Sequence, residues 1–250
     1  ARLITTGDYN TAAGAYALSN ATTPDNNTAF GYNALAENTT GADNTAVGKG
    51  ALGGTTTGSY NTVSGVDSML ANTTGTYNVA MGRRALYTNT TASYNIAIGP
   101  AALYLNTTGA SNVAVGSSAL QANTTASNNT AVGRSALLAN TTGDRNVSVG
   151  KGALTANTTG AANTSLGYDA MAAQTTGSSN VAVGAYALDT STTGASNVAV
   201  GASSLQALTT ASNNTAVGYE ALNANTTGGN NVAVGKGSMD SNTTGSDNIA

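Results

Sequence analysis

Asn214-Thr215-Ala216-Val217-Gly218-Tyr219-Glu220-Ala221-Leu222-Asn223-Ala224-Asn225-Thr226-Thr227-Gly228-Gly229-Asn230 is one unit of a pattern that fills the chain. Its leading Asn stands at 10, 27, 44, 61, 78, 95, 112, 129, 146, 163, 180, 197, 214, 231 and 248, always 17 residues apart. Four residues after the Asn comes a Gly, from Gly14 to Gly235, and a Thr-Thr pair recurs from Thr22-Thr23 to Thr243-Thr244. The unit reads Asn-x-Ala-Val-Gly-x-x-Ala-Leu-x-x-Asn-Thr-Thr-Gly-x-x, with no insertion or deletion. Positions 1 to 17 are counted from that Asn.

Phasing this strict marks each unit as one turn of a solenoid, because a coil stacked between two neighbours cannot change length without breaking both contacts. The unit is too short for a helix-turn-helix repeat, and its fixed Gly and Thr-Thr-Gly would interrupt a helix. The segment Asn112-Val113-Ala114-Val115-Gly116 has β-branched residues two apart with a small residue between, the period of a strand with two unlike faces. The expected fold class is therefore all-β: a parallel β-solenoid, one coil per repeat. It forms a single continuous array over residues 1–250, with fourteen full coils and partial coils at both ends. Stacking at the strand spacing predicts a rod of roughly 70 Å.

Within each coil, four features stand out. The Asn at position 1 (Asn44, Asn61, Asn78, Asn95, Asn112) is expected to pair its amide along the column. The Gly at position 5 (Gly48, Gly65, Gly82, Gly99, Gly116) is expected to turn a corner, and the frequent Gly after Thr-Thr a second, looser one. A second short run begins at Ala-Leu, and its Leu (Leu52, Leu86, Leu103, Leu120, replaced by Met69, Met171 and Met239) is the expected core anchor. The interior is expected to hold ladders of Val and Leu, with Ser64 as a polar defect in a core column. The Ala or Ser row of the strand (Ala46, Ala80, Ala114, Ser148, Ala182) is expected to pack against a partner chain.

Composition narrows function as sharply as fold. The chain has no His and no Cys, so the commonest general base, the thiol nucleophile and the usual zinc ligands are absent. A net charge of −3, from 8 basic and 11 acidic residues spread singly, gives no basic patch for phosphates. No run is long and apolar enough to suggest membrane insertion. Ala1-Arg2-Leu3-Ile4-Thr5-Thr6 has no signal-peptide core, and the chain stops inside a repeat at Asn248-Ile249-Ala250, so a longer parent array is expected. Asp25, Asp43, Asp67, Asp144, Asp169, Asp189, Asp240 and Asp247 fall at scattered repeat positions, which supports no periodic calcium site. No enzyme, cofactor, metal or nucleic-acid function is expected.

Variable positions point to the surface. Positions 6 and 7 carry Lys49, Arg83, Arg84, Arg134, Lys151 and Lys236 with Tyr32, Tyr168 and Tyr219; positions 16 and 17 carry Asp8-Tyr9, Asp43, Tyr60, Tyr77, Tyr94, Asp144-Arg145 and Asp247. Asn-Thr-Thr also matches the N-glycosylation acceptor at Asn38, Asn72, Asn89, Asn106, Asn123, Asn140, Asn157, Asn225 and Asn242. Ala21, Thr55, Gln174, Ser191 and Leu208 fill the same place in other coils, which favours a polar turn before a Thr ladder and leaves glycan attachment open. A regular Thr row also fits an ice-binding surface, although adjacent strand Thr residues point to opposite faces.

Asn214-Thr215-Ala216-Val217-Gly218-Tyr219-Glu220-Ala221-Leu222 resembles the head repeats of trimeric autotransporter adhesins, and the Ala-Leu and Asn-Thr-Thr-Gly arrays are similar to those of phage tail fibres. The resemblance covers essentially the whole chain, with a longer unit than the adhesin one. It implies a left-handed β-roll that self-associates as a homotrimer or filament. The expected function is a structural or adhesive shaft of an extracellular or virion surface fibre, contacting a cell-surface or glycan receptor through its variable rows. The alternatives are a glycan-coated extracellular fibril and an ice-binding solenoid.

Overall fold

The computed structural model describes residues 7–250, so the reading of Ala1–Thr6 lies outside the described residues. The chain forms two compact units, Ala1–Ser127 and Asn128–Ala250. Each is a parallel β-solenoid with one strand per coil. The first holds β1 (Thr11–Ala13), β2 (Thr28–Phe30), β3 (Thr45–Val47), β4 (Thr62–Ser64), β5 (Val79–Met81), β6 (Ile96–Ile98) and β7 (Val113–Val115). The second holds β8 (Thr130–Val132), β9 (Val147–Val149), β10 (Thr164–Leu166), β11 (Val181–Val183), β12 (Val198–Val200), β13 (Thr215–Val217) and β14 (Val232–Val234). Within each unit the strands pair in sequence order, parallel and in register: Thr28 lies beside Thr45, Val181 beside Val198. No helix occurs among the described residues.

The strand face is the reverse of the sequence expectation. Position 3 points inward: Ala29, Ala46, Ala80, Ala97 and Ala114 are fully buried, while Phe30, Val47 and Ile98 at position 4 are about two-fifths exposed. Asn side chains and a Leu or Met already occupy the coil interior, which leaves little room at position 3, and the column there is Ala or Ser in every described coil but one. The Val ladders therefore run along the outside, and the Ala row is unavailable to a partner. Ser64 sits at position 4, outside the core, and the core irregularity of that coil is Val63 in a column otherwise held by Ala or Ser.

The Ala-Leu run is no second strand. Position 9 is left-handed in every described coil, with φ of +53° at Leu52, +52° at Leu86, +51° at Leu103 and +52° at Leu120. Positions 5, 7 and 17 are left-handed as well; Gly48 has φ +131°, Arg84 +57° and Tyr77 +57°. A left-handed non-glycine residue costs roughly 1–2 kcal/mol. The offset is that every second peptide from 5 to 9 turns its N–H along the stack instead of into a helix. In coil 27–43, the N–H groups of Thr28, Leu35, Glu37 and Thr39 donate to the following coil, at Asn44, Ala51, Gly53 and Thr56. Those of Gly31, Asn33 and Asp43 donate back, to Ala13, Ala15 and Asp25. Each Leu is also fully buried, worth about 1.5–3 kcal/mol.

The Gly after Thr-Thr does not make the second corner. Gly41, Gly58 and Gly75 have ordinary φ, and the left-handed residue comes two places later, at Asp43, Tyr60 and Tyr77. That is why Ala92, Ala126, Ala211 and Pro24 can stand at position 15.

Candidate functional site

Two Asn columns close the coils from within, the first unbroken and the second interrupted at Ala21, Thr55, Gln174, Ser191 and Leu208. At position 1, Asn44 Nδ2 donates to the Gly58 carbonyl at 2.8 Å, and Asn44 Oδ1 receives the backbone N–H of Asn61 at 3.0 Å. At position 12, Asn38 Nδ2 donates to the Gly41 carbonyl at 2.8 Å, which also accepts Asn27 Nδ2 at 2.9 Å. Ala92 repeats the arrangement with Asn89 and Asn78, both at 3.0 Å. The carbonyl at position 15 thus ties both ends of one coil together, a role that asparagine suits because its amide both donates and accepts.

The second column is the one the Asn-Thr-Thr pattern concealed. Asn38, Asn72, Asn89, Asn106, Asn123, Asn140, Asn157 and Asn225 are fully buried and Asn242 is half-buried. Asn89 Nδ2 reaches Asn72 Oδ1 at 2.9 Å, and Asn123 Nδ2 reaches Asn106 Oδ1 at 2.8 Å. The nitrogen that would carry a sugar is turned inward and hydrogen-bonded, an arrangement that favours the polar-turn reading. Where other residues interrupt the column, polar atoms are stranded: Gln174 Oε1, Ser191 Oγ and the neighbouring Asn157 Oδ1 have no partner. Gln174 reaches past its own coil to the Gly194 carbonyl instead, at 3.1 Å.

The Thr pair is split as alternation requires. The first hydroxyl is bound into the stack, Thr39 Oγ1 donating to the Thr56 carbonyl at 3.0 Å and Thr73 Oγ1 to Thr90 at 3.0 Å. The second Thr (Thr40, Thr57, Thr74) is exposed, forming one outward hydroxyl row.

Outside, one face is apolar. Positions 2 and 4 carry Thr, Val, Ile, Leu, Met, Phe, Ala or Ser and no charge in any described coil, with Phe30, Met81, Ile98 and Leu166 at 38–47% exposure. The variable rows are polar and aromatic. Tyr60, Tyr77 and Tyr94, at position 17 of successive coils, stack with centroids 4.7 and 5.3 Å apart and rings within 4° of parallel. Lys151 lies 4.9 Å from the Tyr168 ring and Arg84 5.5 Å from Tyr87. Burial and the neighbouring Tyr168 raise the Tyr186 hydroxyl above its ordinary pKa, and burial with the Asp169 charge raises Asp189.

Among the described residues, no group of three or more His, Cys, Asp or Glu is gathered to hold a metal ion, and no helix is long and apolar enough to cross a membrane. No protein-family model matches the chain, and comparison with curated proteins finds no match.

Proposed function

We propose that the chain is a non-catalytic structural shaft, part of a fibre on an extracellular or virion surface, that associates with copies of itself through its strand face. The observation that carries this reading is the uncharged face at positions 2 and 4, with an apolar row at position 4 broken only by Ser64 and a row of Val, Ile or Thr at position 2, repeated in register along each unit. Contiguous exposed apolar surface of this kind marks an association site. The second support is the direction of hydrogen bonding, since each coil both donates to and accepts from its neighbours, which suits a stiff column. Closed rotational symmetry leaves no such face over, and the resemblance to adhesin head repeats makes a homotrimer the assembly we favour.

The variable rows at positions 6, 7, 16 and 17 remain on the outside of such an assembly and are the surfaces for contact with a cell-surface or glycan receptor. The glycan-coated alternative draws little support from the inward sequon amides, and the ice-binding alternative has a single exposed Thr row.

Analytical ultracentrifugation of the chain tests the self-association. The expected result is a discrete oligomer, with three chains per cross-section in electron micrographs. Ile96→Lys with Ile98→Lys is expected to convert it to folded monomer. A wild-type chain that stays monomeric at high micromolar concentration would overturn the proposal.

A further inference from the structure

The coil of residues 44–60 is where the outer surface loses its side chains. Gly50, Gly53 and Gly54 occupy positions 7, 10 and 11, where the preceding coil has Asn33, Ala36 and Glu37 and the following coil has Asp67, Leu70 and Ala71. The result is a groove of about 400 Å³. That lies at the low end of the ~300–1,000 Å³ typical of small-molecule sites.

The lining is chemically mixed. Tyr32 and Leu70 give apolar walls, Glu37 and Asp67 contribute carboxylates and Lys49 an ammonium, while the Asp67 and Leu70 side chains lie over Gly50 and Gly53, which are buried. Asn20 Nδ2 donates to Glu37 Oε2 at 2.9 Å, which leaves Oε1 to accept. Asp67 Oδ1 lies over Gly50, 2.9 Å from where a Cβ would stand, and its Oδ2 is 3.9 Å from Arg84 Nε. The lining itself holds two carboxylates and one ammonium, and Arg84, outside the lining but paired with Asp67, brings the four charges in and beside the groove to zero.

From this we infer that the groove binds a neutral sugar ring, a terminal hexose or N-acetylhexosamine. The apolar face of the ring packs on Tyr32 and its hydroxyls bridge the Glu37 and Asp67 carboxylates and the Lys49 ammonium. This deepens the receptor-contact part of the proposed function and rests on it. The second unit contains a filled counterpart: Lys151-Gly152-Ala153-Leu154 repeats Lys49-Gly50-Ala51-Leu52, but Thr155 and Ala156 stand where Gly53 and Gly54 do. Both coils make the same turn, Gly53 N–H to Gly50 at 3.1 Å and Thr155 N–H to Gly152 at 3.3 Å. Gly53→Thr keeps this turn, but its Cβ would stand 3.0 Å from Leu70 Cδ1 and 3.2 Å from the Gly50 carbonyl oxygen, so the Leu70 side chain must shift to admit it.

The test applies the full chain to an immobilised array of neutral and sialylated glycans, alongside Gly53→Thr and Tyr32→Ala, with circular dichroism to check folding. Retention of hexose- or N-acetylhexosamine-terminated neutral glycans, falling at least ten-fold in both folded variants, is the expected result. No retention of neutral glycans, retention of sialylated glycans alone, or full retention by Gly53→Thr would each overturn the inference. None of these outcomes alters the ultracentrifugation result, so failure of the sugar site and failure of the shaft are separately visible. If Tyr32→Ala fails to fold, Gly53→Thr alone decides.

Discussion

Asn61 donates to Asn44 Oδ1 twice, through its backbone N–H at 3.0 Å and its side-chain amide at 3.1 Å, and the same amide donates to the carbonyl of Gly75 at 2.9 Å. One side chain thereby joins a coil to its predecessor and closes its own turn. Truncating a member of this column strands atoms on both sides.

For Asn78→Ala the stranded groups are the Asn95 N–H, now bonded to Asn78 Oδ1 at 2.9 Å, and part of the acceptor capacity of Ala92 and Asn61. The expected loss is about 2–4 kcal/mol, from a buried donor costing roughly 1–3 kcal/mol with the lost bonds added. Amide hydrogen exchange at Asn95 reports it locally. Unchanged protection there would show that the column is not holding the coil.

The left-handed positions give a paired prediction of opposite sign. Ala101 has φ +56° and is not fully buried, so Ala101→Gly is expected to stabilise by up to ~1 kcal/mol. Gly99 has φ +130°, and a Cβ there would lie 2.6 Å from the Gly116 carbonyl carbon. Gly99→Ala is expected to destabilise by more than ~3 kcal/mol, through strain in a region open essentially to glycine alone together with a backbone clash. Denaturant midpoints for the two variants check the signs.

Restoring the interrupted second column is expected to stabilise. Gln174→Asn with Ser191→Asn gives Asn157 Oδ1 a donor and returns both coils to the arrangement of their neighbours. A gain of about 1–3 kcal/mol follows from the stranded atoms. Each single substitution is expected to give less than the pair, because the two residues are adjacent in the column, and a double-mutant cycle measures that coupling.

Secretion from a glycosylating host is expected to yield folded chain without N-linked sugar at Asn89, Asn106 and Asn123, because each amide is inside the coil. Intact-mass measurement of the folded fraction decides it. Added hexose mass at these sites would mean that the second column opens.

Asp189 gives a pH dependence. Burial first, and the Asp169 charge second, raise its pKa above the ordinary 3.8, so the folded chain holds the proton more tightly than the unfolded chain. Stability is then highest below 3.8 with respect to this group and declines as pH rises through the folded value. Asp189→Asn is expected to raise the thermal midpoint at pH 7 and to leave it unchanged at pH 3. Equal shifts at both pH values would assign the effect to packing instead.

The coil length, the strand at Asn-x-Ala-Val-Gly, the parallel stacking and the buried Leu are all legible in the sequence, because an uninterrupted 17-residue period leaves few other ways to bury them. The inward face of the strand is not. A three-residue strand has one residue on one side and two on the other, and general hydrophobicity favours placing Val inside. Only the space already filled by Leu86, Asn78 and Asn89 dictates that Ala80 goes in. Leu103 looks like a strand residue because nothing in a leucine announces a left-handed backbone; neighbouring coils impose it through hydrogen bonds. The second Asn column is obscured by Thr55, Gln174, Ser191 and Leu208, whose tolerance suggests a surface turn although the position is internal. The groove beside Gly53 is visible only once the coils are stacked.

The left-handed sites recur at positions 5, 7, 9 and 17, and the residues between them include β-branched Val and Thr that resist that conformation. Gaining or losing one amino acid would slide those demands onto Val47, Lys49, Ala51, Ser59 or Asn61. Inheritance can therefore lengthen or shorten this architecture only by copying or deleting whole units, while substitution varies most in what each coil displays. The same backbone arithmetic that makes the coils uniform makes their outer rows the place where one descendant can differ from another.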